Sequence, residues 1–157
     1  MKKITIIFTL LFLFASCTPE NSELTSEVNV KKIDGIDNVI NDGYDVVSYF
    51  EEGRMMQGYK DFVIQYKGVA YFFSSKKNFD IFISNIGKSD KYIPKYDGYC
   101  AYGVSSFDKK VASNPDAWHI EDDRLYLNDR KIHHIWLKEV DKNIQLGDEK
   151  WQVLKDK

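Results

Sequence analysis

The sequence predicts a small single domain of the α+β class, with antiparallel β-hairpins packed against a few helices. Two observations carry most of this. Two pairs of short β-branched and aromatic runs are each broken by a tight corner, at Lys67-Gly68 and at Asp122-Asp123. Helical stripes follow each pair, with no strand–helix–strand rhythm of a parallel sheet.

Taken in order, Asn41-Asp42-Gly43 is a turn signal, with a glycine free to adopt positive φ. Asp45 to Phe50 opens a short apolar segment. Phe62 to Tyr66 and Val69 to Phe73 form the first hairpin, and Ser74 or Ser75 caps the next element. Phe79, Phe82, Ile83 and Ile86 stand at i, i+3, i+4 and i+7, which predicts an amphipathic helix that Gly87 stops. Tyr92 to Tyr102, rich in Tyr, Pro and Gly, reads as a loop. Trp118 to Glu121 and Leu125 to Leu127 form the second hairpin. Ile132, Ile135 and Trp136 mark another helical stripe, and a C-terminal helix carries Trp151 and Leu154 into the core. No internal repeat or low-complexity tract is apparent.

The N-terminus reads as an export signal. Lys2 and Lys3 precede an apolar run from Ile4 to Phe14, and small residues follow at Ala15 and Ser16. The run is shorter than the roughly 20 residues a membrane-spanning helix needs. Cys17, just after Ala15-Ser16, resembles the lipobox of bacterial lipoproteins, with Phe14 where that motif usually has Leu. The resemblance implies cleavage before Cys17 and a lipid on Cys17. It implies residence in the bacterial cell envelope, at the outer membrane or facing the periplasm. The expected organisation is a signal peptide over 1–16, a lipidated cysteine and flexible tether over 17–36, and the domain over 37–157.

Charge narrows the partners. The chain carries 22 basic and 24 acidic residues, a net charge of −2. That leaves no basic footprint for nucleic acid and no strong electrostatic docking on anionic lipid. The membrane is therefore expected as a partner only through the N-terminal lipid, and a protein partner stays open. With Cys17 acylated, Cys100 is left without a disulfide partner.

Several motifs stand in one order: Gly43 to Phe50 (GYDVVSYF), Tyr66 to Ser75 (YKGVAYFFSS), Tyr96 to Ser105 (YDGYCAYGVS), Asn114 to Trp118 (NPDAW) and Arg124 to Asn128 (RLYLN). Together they resemble the exported YHS-domain proteins of bacteria, from about Asp37 to Trp151. The resemblance implies a YHS/TRASH-like core. Metal-associated members carry several cysteines in and around the Tyr-x-Phe-x-Ser hairpin and the helix after it. This chain has Tyr71 to Asn78 (YFFSSKKN) there, without a cysteine.

Cys100 is the leading candidate for chemistry. Thiolate and imidazole suit soft metals such as copper or zinc, and a thiolate is also a nucleophile. Against this stands a structural thiol packed under aromatic rings. His119 is the candidate metal partner of Cys100, or else a surface strand residue. His133 and His134 are adjacent on a predicted helix and diverge by about 100°, unlike the i, i+4 spacing of helical ligand pairs. Asp45 is either a local hydrogen-bonder or an oxygen ligand. Tyr44, Tyr99 and Tyr102 are candidate walls of a small-ligand pocket around Cys100, with Asp45 beside them. No catalytic triad, P-loop or dinucleotide fingerprint is readable. Three functions are compatible with these residues: a binding module for a metal ion or small ligand centred on Cys100, a non-catalytic interaction domain with Cys100 buried, and a thiol-dependent enzyme.

Overall fold

The computed structural model describes residues 38–157. The expected signal peptide, Cys17 and the tether lie outside the described residues. Among the described residues no helix is long and apolar enough to cross a membrane. The domain is α+β, with two antiparallel two-stranded sheets and several helices.

The first half opens on the turn Ile40–Gly43, where Asn41, Asp42 and Gly43 take φ of 51°, 51° and 79°. Asn, Asp and Gly enter this left-handed region at least cost. One helical turn, α1 (Ser48–Glu51), follows. Strands β1 (Tyr59–Tyr66) and β2 (Val69–Phe73) pair around Lys67-Gly68, both at positive φ as a type I′ corner requires. Helix α2 (Lys76–Asn85) starts at Ser75, whose hydroxyl accepts the Asn78 N–H at 3.2 Å. Phe82 turns inward from α2 and meets the Tyr71 and Phe73 rings at 4.7 and 5.0 Å between centroids.

The second half repeats the first. The turn Lys95–Gly98 again has three positive φ values, 55°, 52° and 78°, at Tyr96, Asp97 and Gly98. Helix α3 (Ala101–Phe107) follows, then β3 (Asn114–Glu121) and β4 (Arg124–Asn128). The turn and both strands recur 55 positions along the chain with the same bounds. Each hairpin breaks register at the same place, between Tyr59 and Val63 and between Asn114 and Trp118. Loop hydrogen bonds recur as well. Asp45 N–H donates to Met56 O at 2.8 Å, and Cys100 N–H to Val111 O at 2.9 Å. Helix α4 (His133–Trp136) and, after a 3₁₀ turn, α5 (Val140–Leu154) complete this half.

Two expectations are corrected here. The chain does contain an internal repeat. It is hidden because, of the 35 positions 40–74 set against 95–129, only five are identical: Asp42/Asp97, Gly43/Gly98, Tyr44/Tyr99, Asp61/Asp116 and Tyr71/Tyr126. The backbone conformation is kept where the side chains are not. The segment expected to be a loop over 92–102 instead holds the second left-handed turn and the start of α3. Gly103 inside α3 and the tyrosines at 96, 99 and 102 weaken any helical signal there, and the cap is a cysteine, which propensity does not mark as a helix start.

Each half has its own core. The first gathers Val46, Val47, Ile64, Tyr71, Phe73 and Phe82. The second gathers Tyr96, Ala101, Val104, Tyr126 and Trp136, against which Trp151 and Leu154 of α5 pack as expected. Tyr49 of α1 joins them by packing on Leu125 and Leu127 of β4. Its ring meets Trp118 edge-on at 5.2 Å, and its hydroxyl donates to Pro115 O at 2.8 Å.

Candidate functional site

Asp45 and Cys100 occupy equivalent positions in the two halves. Asp45 is wholly buried. Its Oδ1 accepts the N–H groups of Val47 and Ser48 at 2.8 and 3.3 Å. Its Oδ2 accepts Ser74 N–H at 2.9 Å, Ser74 Oγ–H at 2.7 Å and Asn78 Nδ2–H at 2.8 Å. Five donors on one carboxylate compensate its loss of water. The arrangement ties α1 to the end of β2 and to α2.

Cys100 does the same work with sulfur. It is also wholly buried and is a free thiol. Sγ accepts Gly103 N–H at 3.4 Å, capping α3, and Asp129 N–H at 3.2 Å, just past the end of β4. The thiol faces Asn128 Oδ1 at 3.9 Å, and the same oxygen accepts Tyr102 N–H at 3.1 Å. A side chain occupied in this way has its lone pairs turned toward the backbone and no path to solvent.

The other predicted residues lie apart from any thiol-centred pocket. His119 pairs with Glu121 at 2.9 Å and packs its ring on Trp136 at 5.5 Å, and it is not a hydrogen-bond partner of the sulfur. Tyr102 stacks edge-on with Phe107 at 5.6 Å. Tyr44 pairs across an isolated bridge with Gln57. Among the described residues no three or more His, Cys, Asp or Glu side chains gather in a way that could hold a metal ion.

Tyr99 does line a cleft. It measures about 340 Å³ and is lined by residues of both left-handed turns, Asp42 and Asp97 among them. Neither Cys100, Tyr44, Asp45 nor Tyr102 forms its walls. Val39, Ile40 and Val69 give it an apolar side. Lys110 stands in the lining, but its ammonium donates to Lys155 O at 3.0 Å and lies over the Tyr99 and Trp151 rings at 5.9 and 5.6 Å. Sequence reasoning missed Asp42 and Asp97. The available signal was the tripeptide Asp-Gly-Tyr, which occurs at 42–44 and again at 97–99.

Elsewhere, His133 is held below the ordinary histidine range, first by burial and then by the neighbouring His119. Its Nε2 is buried without a hydrogen-bond partner. Comparison with protein-family models, with curated proteins and with solved structures finds no match.

Proposed function

We propose that the chain is a non-catalytic binding module of the bacterial cell envelope, exported and tethered through a lipid on Cys17. In this reading it is a YHS-like domain whose Cys100 holds the fold and whose ligand enters the cleft lined by both turns. One observation carries the proposal: the Cys100 sulfur is wholly buried and spent on two backbone N–H groups. A nucleophile needs access and a base, and a soft-metal ligand needs partners around the ion. The polar groups around this sulfur are backbone amides and the Asn128 side chain. The export signal and lipobox resemblance support the compartment, and the ordered motifs support the family.

The test is metal titration with copper(I) and zinc(II) of the chain and of its Cys100→Ala variant. The proposal expects neither metal to bind through Cys100. Tight stoichiometric binding that disappears in the variant would return the site to the thiol.

A further inference from the structure

The second half leaves apolar side chains in solvent that its core does not use. Phe107, at the end of α3, is 55% exposed, and Val153, in the last turn of α5, is 63% exposed. A hollow of about 370 Å³ connects the two places, lined by Val153, Leu154 and Asp108, the residue after Phe107. In its lining Lys150 pins α5 to α3, donating to Ser105 O at 2.7 Å and pairing with Asp108 Oδ1 at 3.0 Å. The charged residues of the lining are two of each sign, Lys150 and Lys157 beside Asp108 and Glu149. Next to Leu154, Lys155 O accepts the Lys110 ammonium at 3.0 Å. Lys110 in turn lines the cleft where the described chain begins, with Asn38 and the part-exposed Val39.

We infer that this face rests on the bilayer that carries the Cys17 lipid, with Phe107 and Val153 entering the headgroup boundary. The inference rests on the reading of the chain as lipid-tethered. Composition assigns the membrane to the lipid alone, and the folded surface adds a second contact. Two features favour a bilayer over other occupants. The first is where the chain comes in. The 20 residues from Thr18 to Asp37 reach at most about 70 Å. They join the domain at Asn38, on the cleft that Lys110 links to α5. Two apolar side chains do not hold a free protein on a membrane. A domain confined near the surface meets it at high effective concentration, so a weak contact suffices. The second is charge. A strongly acidic or basic partner gains nothing from a lining with two charges of each sign, whereas a zwitterionic headgroup offers it both a phosphate and an ammonium. Lysine stems suit this boundary, lying along apolar surface while their ends reach the headgroups.

The test uses the full chain, processed by a lipoprotein-producing bacterial host and reconstituted on phosphatidylcholine vesicles with and without nitroxide-bearing lipid. A polarity-sensitive fluorophore is attached at Val153→Cys or, as a control, at Lys77→Cys, an exposed position of α2 in the first half. Wild type is labelled in parallel, and with Cys17 acylated and Cys100 buried it takes no label. The expected result is flotation with the vesicles, with a blue shift and nitroxide quenching at 153 and neither at 77. Adding Phe107→Ser should abolish both responses at 153. Flotation with equal responses at the two positions, with no response, or with a response that Phe107→Ser leaves unchanged would overturn the docking and leave the tether in place. A blue shift at 153 that nitroxide lipid does not quench would put a second copy of the chain over the face and overturn it as well. Failure to float would remove the lipid tether, and the inference with it.

Discussion

Asp45 and Cys100 stand 55 positions apart, and each ties the head of a helix to the end of a hairpin. Asp45 accepts from Ser48 and Ser74, and Cys100 from the equivalent Gly103 and Asp129. One structural task is thus done by a carboxylate in one half and a thiol in the other. This explains why the cysteine can lie in the most distinctive motif of the chain without facing solvent.

Replacing Cys100 with Ala removes the acceptor for two backbone N–H groups and opens a small void. The expected destabilisation is about 1–3 kcal/mol. Cys100→Ser keeps an acceptor of smaller size and costs less, about 1 kcal/mol. Denaturant melts of the three proteins check the order, and equal stability of wild type and Cys100→Ala would remove the capping role.

Asp45→Asn keeps the shape but turns an amide NH₂ toward donors. Four of the five groups around Asp45 belong to Ser48, Ser74 and Val47, and the fifth is the Asn78 amide. A donor facing donors in a buried site is expected to cost about 2–4 kcal/mol. Chemical denaturation measures it directly, and a change under ~0.5 kcal/mol would mean the network is not holding the fold.

Gly147→Ala reverses a rule of thumb. In an exposed helix interior the change should gain about 1 kcal/mol. Here an added Cβ would collide with the Tyr96 ring and hydroxyl, which donates to Asp148 Oδ1 at 3.1 Å. The expected result is a net loss of about 1–3 kcal/mol, read from thermal or denaturant melts.

His133 gives the domain an acid-side sensitivity. Burial, the neighbouring His119 and His134 lower its pKa, and Asp116 opposes them. A lowered pKa means that the unfolded chain takes up a proton the folded chain refuses. The stability present above the unfolded value of about 6.5 is therefore lost as pH falls through the folded value. Melts between about pH 7 and 5.5 should show this decline, and His133→Gln should flatten it.

The hairpins and the amphipathic α2 were legible in the sequence because local rules set them. Lys67-Gly68 adopts the corner that period and turn chemistry indicate, and Ser75 caps α2 as expected. The repeat was not legible. Each left-handed turn closes locally, Tyr44 N–H on Asn41 O and Tyr99 N–H on Tyr96 O, and only its glycine carbonyl is held from afar, by Gly58 N–H and by the Ser113 hydroxyl. Asn41-Asp42-Gly43 carries a turn signal, but a tyrosine at positive φ in its counterpart gives no local warning. The cleft was not legible either, since it exists only where two segments distant in sequence meet. Cys100 was found as a residue, but one of the two N–H groups on its sulfur comes from Asp129, beyond the far end of the second hairpin.

The most direct measurement is the labelling of Cys100 by a thiol reagent in the folded full chain, resolved by mass spectrometry of the Cys100 peptide. Protection until the domain is unfolded, followed by rapid labelling in denaturant, is the result expected of a buried capping sulfur. Stoichiometric labelling of the folded protein would contradict it and place an accessible, chemically active thiol at the centre of the function.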